Sequence, residues 1–122
     1  MLKIVYPICC GVDVHKRFIV ATIASTNDEN ITSYLTKRFD TYTEDLVTFK
    51  DWLLEHNCKD VCMESTGKYY IPVYNILEDY VHVTVANPKY VKAIRGKKTD
   101  KKDSIWIADL FKHDLVPGSY IP

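Results

Sequence analysis

The sequence lacks any long hydrophobic segment, although 47% of its 122 residues are hydrophobic. No stretch approaches the roughly 20 apolar residues that a transmembrane helix requires, so we expect no membrane partner. The N-terminus also lacks the charged start, the apolar core and the small-residue cleavage site of a signal peptide. These absences predict a cytoplasmic protein, and the length corresponds to one domain with a single hydrophobic core.

Two familiar site patterns are also missing. Cys9 and Cys10 are adjacent, and no histidine pair accompanies Cys58 and Cys62, so the cysteines do not have the spacing of a zinc site. We therefore expect four buried, reduced thiols. A phosphate loop is excluded as well, because Cys62 occupies the position of the first glycine that should precede the Gly67-Lys68 pair.

Charge is balanced overall but unevenly distributed. The formal net charge is zero, yet positions 89–102 contain seven basic residues and one acid, which leaves nine basic and fifteen acidic residues elsewhere. Such asymmetry indicates a local anion-binding face, and we predict that it binds a nucleic-acid backbone. A solvated lysine loop would explain the same run. The predicted nucleic-acid-binding residues are Lys89, Lys92, Arg95, Lys97, Lys98, Lys101 and Lys102.

The order of predicted elements indicates an α/β domain. Five segments have the β-branched content or the alternation of strands, namely residues 8–14, 18–24, 31–39, 60–64 and 81–86. Helices are predicted at 43–57 with Thr43 as N-cap, at 70–79, in a short basic stretch from residue 87, and from 99 or 100 to 113. Three strands followed by alternating strands and helices predict a mixed five-stranded sheet flanked by helices. Residues 1–114 would form the domain, and residues 115–122 would begin a linker.

Four acidic residues stand out against this pattern. Asp13 interrupts an apolar strand, Glu64 ends another strand, and Asp100 and Asp103 lie one helical turn apart within the lysine run. Carboxylates that converge repel one another unless cations neutralise them, and hard ions such as Mg²⁺ or Mn²⁺ prefer oxygen ligands. Carboxylates next to lysines therefore suggest metal-assisted chemistry on a phosphodiester backbone.

Each acid also has a simpler explanation when it is considered alone. Asp13 could form a buried ion pair with His15, Lys16 or Arg17. Glu64 could lie at the N-terminus of the next helix, where a negative charge is favourable. Asp100 and Asp103 could cap the first turn of the last helix. The four acids in this order favour a common site over four separate explanations.

Four motifs carry a resemblance to a known family, at positions 11–16 (GVDVHK), 63–70 (MESTGKYY), 85–88 (VANP) and 98–104 (KTDKKDS). They resemble the N-terminal domain of DEDD-type transposases, the bacterial insertion-sequence recombinases of the one-ten family. The resemblance implies a RuvC-like, ribonuclease-H-type fold that acts in DNA transposition in the bacterial cytoplasm. It also implies a catalytic, metal-binding tetrad at Asp13, Glu64, Asp100 and Asp103.

The same resemblance implies partners and a missing part. Members of the family use a guide RNA that pairs with DNA, act as multimers, and carry a catalytic serine in a C-terminal domain. The sequence ends at Pro122, before such a domain, so we do not assign the nucleophile to Ser65 or Ser104.

Three alternatives remain on the residues alone. The domain could be a non-catalytic nucleic-acid-binding module of the same fold, or a RuvC-like junction resolvase or ribonuclease H, which use similar sets of acids. An actin-type or sugar-kinase-type ATPase is disfavoured, because His15, Lys16 and Arg17 follow Asp13 where that fold needs glycines near the phosphate.

Overall fold

The computed structural model describes residues 3–65, 67–86, 103–115 and 118–119, which form one sheet with helices on both faces. The described strands are β1 (Ile8–Val14), β2 (Phe18–Thr26), β3 (Thr32–Asp40), β4 (Asp60–Ser65), β5 (His82–Ala86) and β6 (Gly118–Ser119). The described helices are α1 (Thr43–Glu55), α2 (Tyr70–Leu77) and α3 (Asp103–Lys112).

The sheet has the order β3-β2-β1-β4-β5-β6 and is mixed. β1, β2 and β3 form an antiparallel meander, whereas β4 and β5 continue the sheet in parallel with β1. The predicted mixed sheet of five strands flanked by helices is confirmed. The two-residue strand β6 pairs with β5 and was not predicted, because its residues lie in the segment expected to begin a linker. The domain boundary at residue 114 stays a prediction.

Helices α1 and α2 cover one face of the sheet, where the larger hydrophobic core lies. Phe39 of β3 packs against Phe49 and Trp52 of α1, with ring centroids 5.0 and 5.4 Å apart. Leu46 and Leu53 complete the buried side of α1, so one apolar stripe of this helix faces the core.

The ends of α1 show one correct and one wrong expectation. Asn57 has a positive φ of 55°, as expected of a residue that terminates a helix, and α1 ends two residues before it. The expected Thr43 N-cap is wrong, because Tyr42 is the N-cap and Thr43 is the first helical residue. No side chain caps this end by hydrogen bonding, and the acids Glu44 and Asp45 lie in the first turn instead.

Helix α3 covers the other face of the sheet and is antiparallel to β1. The Lys112 carbonyl, at the helix C-terminus, accepts a 2.7 Å hydrogen bond from the amide of Val5, just before β1. The carbonyl of Ala108 lies 3.7 Å from the Cys9 thiol, near the start of that strand. The N-terminus of α3 is therefore directed toward the carboxyl end of β1.

All four cysteines are free and buried, which confirms the expectation of reduced thiols. Burial raises the pKa of Cys9 and of Cys58 to about 12, so both remain neutral near physiological pH. Within the described ranges, no helix combines the length and apolarity that a membrane span requires.

Candidate active site

Asp13 and Glu64 are direct neighbours across the parallel strands β1 and β4. Paired residues of adjacent strands project from the same face of a sheet, and neighbouring strands lie about 4.8 Å apart. Both residues are close to the carboxyl ends of their strands. The structure therefore brings together two of the four predicted acids, on the face that α3 covers.

A row of five residues crosses the sheet at this level. From β3 to β5 it consists of Arg38, Val20, Asp13, Glu64 and Ala86. We refer to these residues as the carboxylate row. The side chain of Asp13 is 19% exposed, and one carboxylate oxygen of Glu64 is buried from solvent. Both acids of the row are thus partly buried.

Gly11 determines how closely α3 lies on the sheet next to the carboxylate row. A Cβ atom at this position would lie 2.5 Å from the Ser104 carbonyl oxygen and 2.9 Å from the Ala108 Cα. Because both of these atoms belong to the helix backbone, no side-chain movement could relieve the clash. The glycine is therefore required by the close packing of helix on strand, a reason often found for glycine within a strand.

Buried hydroxyl groups fix the start of α3 at the same level as Gly11. Ser104 and Thr22 are both buried, and their hydroxyl oxygens lie 2.8 Å apart. Thr22 also bonds the hydroxyl of Thr36 across β2 and β3, at 2.7 Å. Ser104 thus has a structural contact, consistent with our not assigning it as the nucleophile. The helix begins one residue earlier, at Asp103.

The C-terminal half of α3 is anchored to β3 by a charged cluster. Asp109 accepts a hydrogen bond from the Tyr34 hydroxyl, and the Lys112 ammonium group lies 3.1 Å from the same carboxylate. Burial and the hydrogen bond to Asp109 raise the pKa of Tyr34. Burial lowers the pKa of Lys112, but its bonds to Asp109 and Tyr34 outweigh that effect, so the net shift is upward. Both ends of α3 are thereby held in register with the sheet.

The other predicted site residues are located only in part. The backbone of Asp103 is described as the first residue of α3, and its side chain lies outside the described part. Asp100 also lies outside the described residues, as does the whole run of basic residues, Lys89, Lys92, Arg95, Lys97, Lys98, Lys101 and Lys102. Among the side chains that are described, no group of three or more His, Cys, Asp and Glu residues has the arrangement of a metal site.

His15 is the described partner of Asp13. Its Nε2 atom lies 2.9 Å from the Asp13 carboxylate, as one of the alternatives from the sequence anticipated. The pair is not buried, because the His15 side chain is 44% exposed. The imidazole also stacks on Phe18 at 4.5 Å, and the Arg38 guanidinium lies 4.0 Å from the centre of the same Phe18 ring. Asp13 is thus flanked by a stack of basic and aromatic side chains.

Several residues of this region were missed in the sequence. Gly11 had a readable signal, because an isolated glycine in a strand often marks a close backbone approach. The pairing of Ser104 with Thr22 had none, since it joins residues 82 positions apart. Arg38 was missed because its place in the carboxylate row depends on the register of three strands.

Solved structures with a similar fold include RuvC and a viral Holliday junction resolvase, as well as proteins of the Ppx/GppA family. RuvC from Thermus thermophilus matches with a TM-score of 0.62 and 11% identity, covering 92% of this chain and 99% of that one. The same protein in complex with a Holliday junction gives 0.60 and 13%, with the same coverage. The fowlpox virus resolvase in complex with Holliday junction DNA gives 0.58 and 16%, covering 88% and 99%. At these identities the likeness shows the fold alone, and the predicted RuvC-like, ribonuclease-H-type fold is confirmed.

The sequence comparison identifies the family. No curated protein matches the chain significantly. The family model for DEDD transposases of the IS110 type, described as a transposase, matches residues 10–119. That range includes Asp13, Glu64, Asp100 and Asp103, most of β1 and the described elements from β2 to α3. The chain therefore belongs to the DEDD transposase family of the IS110 type and has the RuvC-like fold.

Proposed function

We propose that this domain provides the metal-dependent phosphodiester chemistry of DNA transposition, through Asp13, Glu64, Asp100 and Asp103. The observation that supports this proposal most strongly is the register of β1 and β4. It makes Asp13 and Glu64 neighbours on one face, at the carboxyl ends of parallel strands. That edge of an α/β sheet is where ligands and reacting groups commonly gather.

The donor set fits a divalent cation such as Mg²⁺ or Mn²⁺. Two carboxylates at the spacing of adjacent strands, about 4.8 Å, repel each other and favour an ion with a preference for oxygen ligands. Asp13 and Glu64 would hold the ion, and Asp103 and Asp100 would complete the set. A bound divalent ion would stabilise the negative charge that develops on the phosphate oxygens.

The surrounding residues orient these acids. The His15 ring bonds the Asp13 carboxylate at 2.9 Å and is itself stacked on Phe18, so it restricts the directions that Asp13 can take. Gly11 allows α3 to start next to the carboxylate row, which brings the backbone of Asp103 toward Asp13. These residues are positioning residues in the proposal, and the four acids are the catalytic residues.

The partners in this proposal are nucleic acids. DNA is the substrate, and Lys89, Lys92, Arg95, Lys97, Lys98, Lys101 and Lys102 would contact its backbone. Two proteins of similar fold, RuvC from Thermus thermophilus and the fowlpox virus resolvase, have been solved in complex with Holliday junctions, which supports DNA as a ligand here. A guide RNA, a multimeric assembly and a serine-bearing domain outside residues 1–122 belong to the proposal through family membership.

A metal-binding measurement tests the proposal without requiring recombination. Mn²⁺ added to the ¹⁵N-labelled protein should broaden the amide signals near Asp13 and Glu64 first. Asp13→Asn should weaken the apparent Mn²⁺ affinity at least about tenfold, since it removes an anionic ligand. Asp60→Asn is the matched control, because Asp60 lies on the same face of β4 but at its opposite end.

The two possible results separate the main candidates. Equal Mn²⁺ affinity of the wild type, Asp13→Asn and Asp60→Asn would contradict the metal site. The contact between His15 and Asp13 is also compatible with a second candidate, a nucleic-acid-binding module without catalysis, in which this pair is structural. In that case DNA binding should persist in Asp13→Asn with no response to Mn²⁺.

A further inference from the structure

A second feature lies at the same end of the sheet as the carboxylate row. A cleft of about 210 Å³ opens between the β1–β2 turn and the β3–α1 junction. It is lined by Lys16, Arg17, Thr41 and Tyr42. We refer to it as the basic cleft. None of these residues belongs to the acidic tetrad or to the basic run at 89–102.

Two hydrogen bonds from Thr41 hold the two walls of the basic cleft together. The Thr41 amide donates to the Arg17 carbonyl at 3.2 Å, and the Thr41 hydroxyl donates to the Lys16 carbonyl at 3.1 Å. The turn itself is closed by the His15 amide, which donates to the Phe18 carbonyl at 2.9 Å. The basic side chains therefore project from a fixed backbone instead of a loose loop, which reduces the entropy cost of binding.

The lining groups match one nucleotide unit of a strand. Lys16 and Arg17 supply two positive charges, and Tyr42, a residue that is 75% exposed, supplies an aromatic ring. We propose that the basic cleft binds a phosphodiester of the DNA strand near the cleavage site, with Tyr42 stacked on an adjoining unpaired base. Cations that track the backbone beside an aromatic ring are the usual combination for binding single strands without sequence preference.

The location of the basic cleft relates it to the carboxylate row. Lys16 and Arg17 follow Asp13 by three and four residues, so the chain limits the separation to about 14 Å. Arg38, a member of the carboxylate row, is stacked on Phe18 at the base of the same turn. Basic groups thus continue from the row to the cleft, within a few nucleotides of a phosphate bound at Asp13. The identity of the strand rests on the proposed function, whereas phosphate binding by the cleft does not.

The acids near the basic cleft determine which groups can bind the phosphate. Glu44 and Asp45 occupy the first turn of α1, next to Tyr42, and they offset the positive end of that helix. Asp40 is paired at 3.9 Å with Arg38. We therefore assign phosphate binding to Lys16 and Arg17, and assign none to the helix terminus.

The experiment compares two double variants of equal charge. Lys16→Gln/Arg17→Gln removes the cations of the basic cleft. Lys3→Gln/Lys59→Gln removes two exposed cations at the opposite end of the sheet, where β1 and β4 begin. Binding of a fluorescent 12-nucleotide single-stranded DNA is measured by anisotropy over a range of NaCl concentrations. Circular dichroism confirms that each variant is folded.

The cleft variant should lower the slope of log affinity against log salt by about 0.7 to 1.4, equivalent to one or two phosphate contacts. The control variant should keep the wild-type slope. An equal loss in both variants would show a general effect of net charge and would overturn the proposal, as would no loss in either variant.

Tyr42 provides an independent readout. Tyr42→Ala should weaken binding at least about fivefold, whereas Tyr42→Phe should retain it, because stacking needs the ring and not the hydroxyl. Titration with inorganic phosphate distinguishes a free anion from a strand. If phosphate at millimolar concentration shifts the amide signals of Lys16, Arg17 and Thr41 and DNA does not, the cleft is an anion site only, and the proposal fails.

The metal site and the basic cleft can be refuted separately. The Lys16→Gln/Arg17→Gln variant should keep the Mn²⁺ broadening around Asp13 and Glu64, because it leaves the acids unchanged. If the wild type showed no Mn²⁺ binding, the metal site would be refuted. Phosphate binding by the basic cleft would still be tested by the DNA affinity of the Lys16→Gln/Arg17→Gln and Tyr42→Ala variants.

Discussion

The two faces of the sheet differ in how the helices pack on them. The face under α1 and α2 is filled by large side chains, including Phe39, Phe49 and Trp52. Where α3 crosses β1 on the opposite face, the packing depends on a glycine, and two buried hydroxyl groups lie beside it. The smaller core of this face, which includes Cys9, Cys62 and Ala108, is correspondingly rich in small residues.

This difference separates stability from the placement of the acids. Interlocked large side chains bury much apolar area, and moderate changes in shape can be absorbed by repacking. Contact between backbones cannot adjust in that way, because neither partner has a rotamer to change. The α3 face therefore fixes the position of a helix start, and the carboxylate row lies at that start. We expect mutations on the two faces to differ in kind as well as in size.

Gly11→Ala should have the largest effect. The new methyl group would lie 2.5 Å from the Ser104 carbonyl oxygen and 2.9 Å from the Ala108 Cα, so α3 must move away from β1. We expect a loss of at least about 3 kcal/mol in the free energy of unfolding, the upper range for overpacking. Urea denaturation measures this loss, and the Mn²⁺ titration should lose its effect at Asp13 and Glu64.

Gly67→Ala is the matched control for this prediction. Among the described residues other than its chain neighbours, none has an atom within 4 Å of the added methyl group, but φ is +64°, which should cost about 1–2 kcal/mol. If Gly11→Ala were no more destabilising than Gly67→Ala, the close packing of α3 on β1 would not be a constraint of the native state.

Phe49→Ala should cost a comparable amount of stability but should leave the Mn²⁺ response unchanged. The residue is fully buried and its ring packs against those of Phe39 and Trp52, so truncation leaves a cavity and should cost about 3–5 kcal/mol. In the remaining folded protein the Mn²⁺ response should match the wild type, because α3 is not displaced. If Phe49→Ala does not fold, Phe49→Leu keeps most of the volume and serves the same test. A changed Mn²⁺ affinity in a folded Phe49 variant would break the distinction between the faces.

The architecture could be read from the sequence because its signals are local. Apolar residues in β1 and β2 and the helical stripe of α1 are patterns within a few residues, and the structure confirms the five strands that they predict. The N-cap of α1 was misplaced by one residue, because Tyr42 fills that position without a side-chain hydrogen bond. The β6 pairing was missed because a two-residue strand depends on its neighbour β5 and carries no pattern of its own.

The sequence predicts which residue types could form the site, but it does not predict which of them are in contact. Asp13 and Glu64 are unusual acids in the sequence. Their adjacency, however, follows from the register of β1 and β4, which the local sequence pattern does not determine. The same holds for the basic cleft, since Arg17 and Thr41 lie 24 residues apart and meet through the hairpin of β2 and β3. Contacts between distant segments are properties of the fold, so the residues that orient the acids appear only once the fold is known.

Ser104→Ala should have the smallest effect. It is the most specific test of whether the α3 face positions the acids. It removes the hydroxyl that bonds Thr22 at 2.8 Å, while Thr22 keeps its bond to Thr36. The free energy of unfolding should fall by about 1 kcal/mol, and the Mn²⁺ affinity should fall by up to about tenfold as the start of α3 loosens. Thr26→Val is the control, because it deletes a hydroxyl that bonds Thr32 at the far end of β2 and β3. A similar loss of stability with an unchanged Mn²⁺ affinity is expected there. If both variants left the Mn²⁺ affinity unchanged, the hydroxyl contact would contribute only to stability, and Gly11 alone would account for the position of α3.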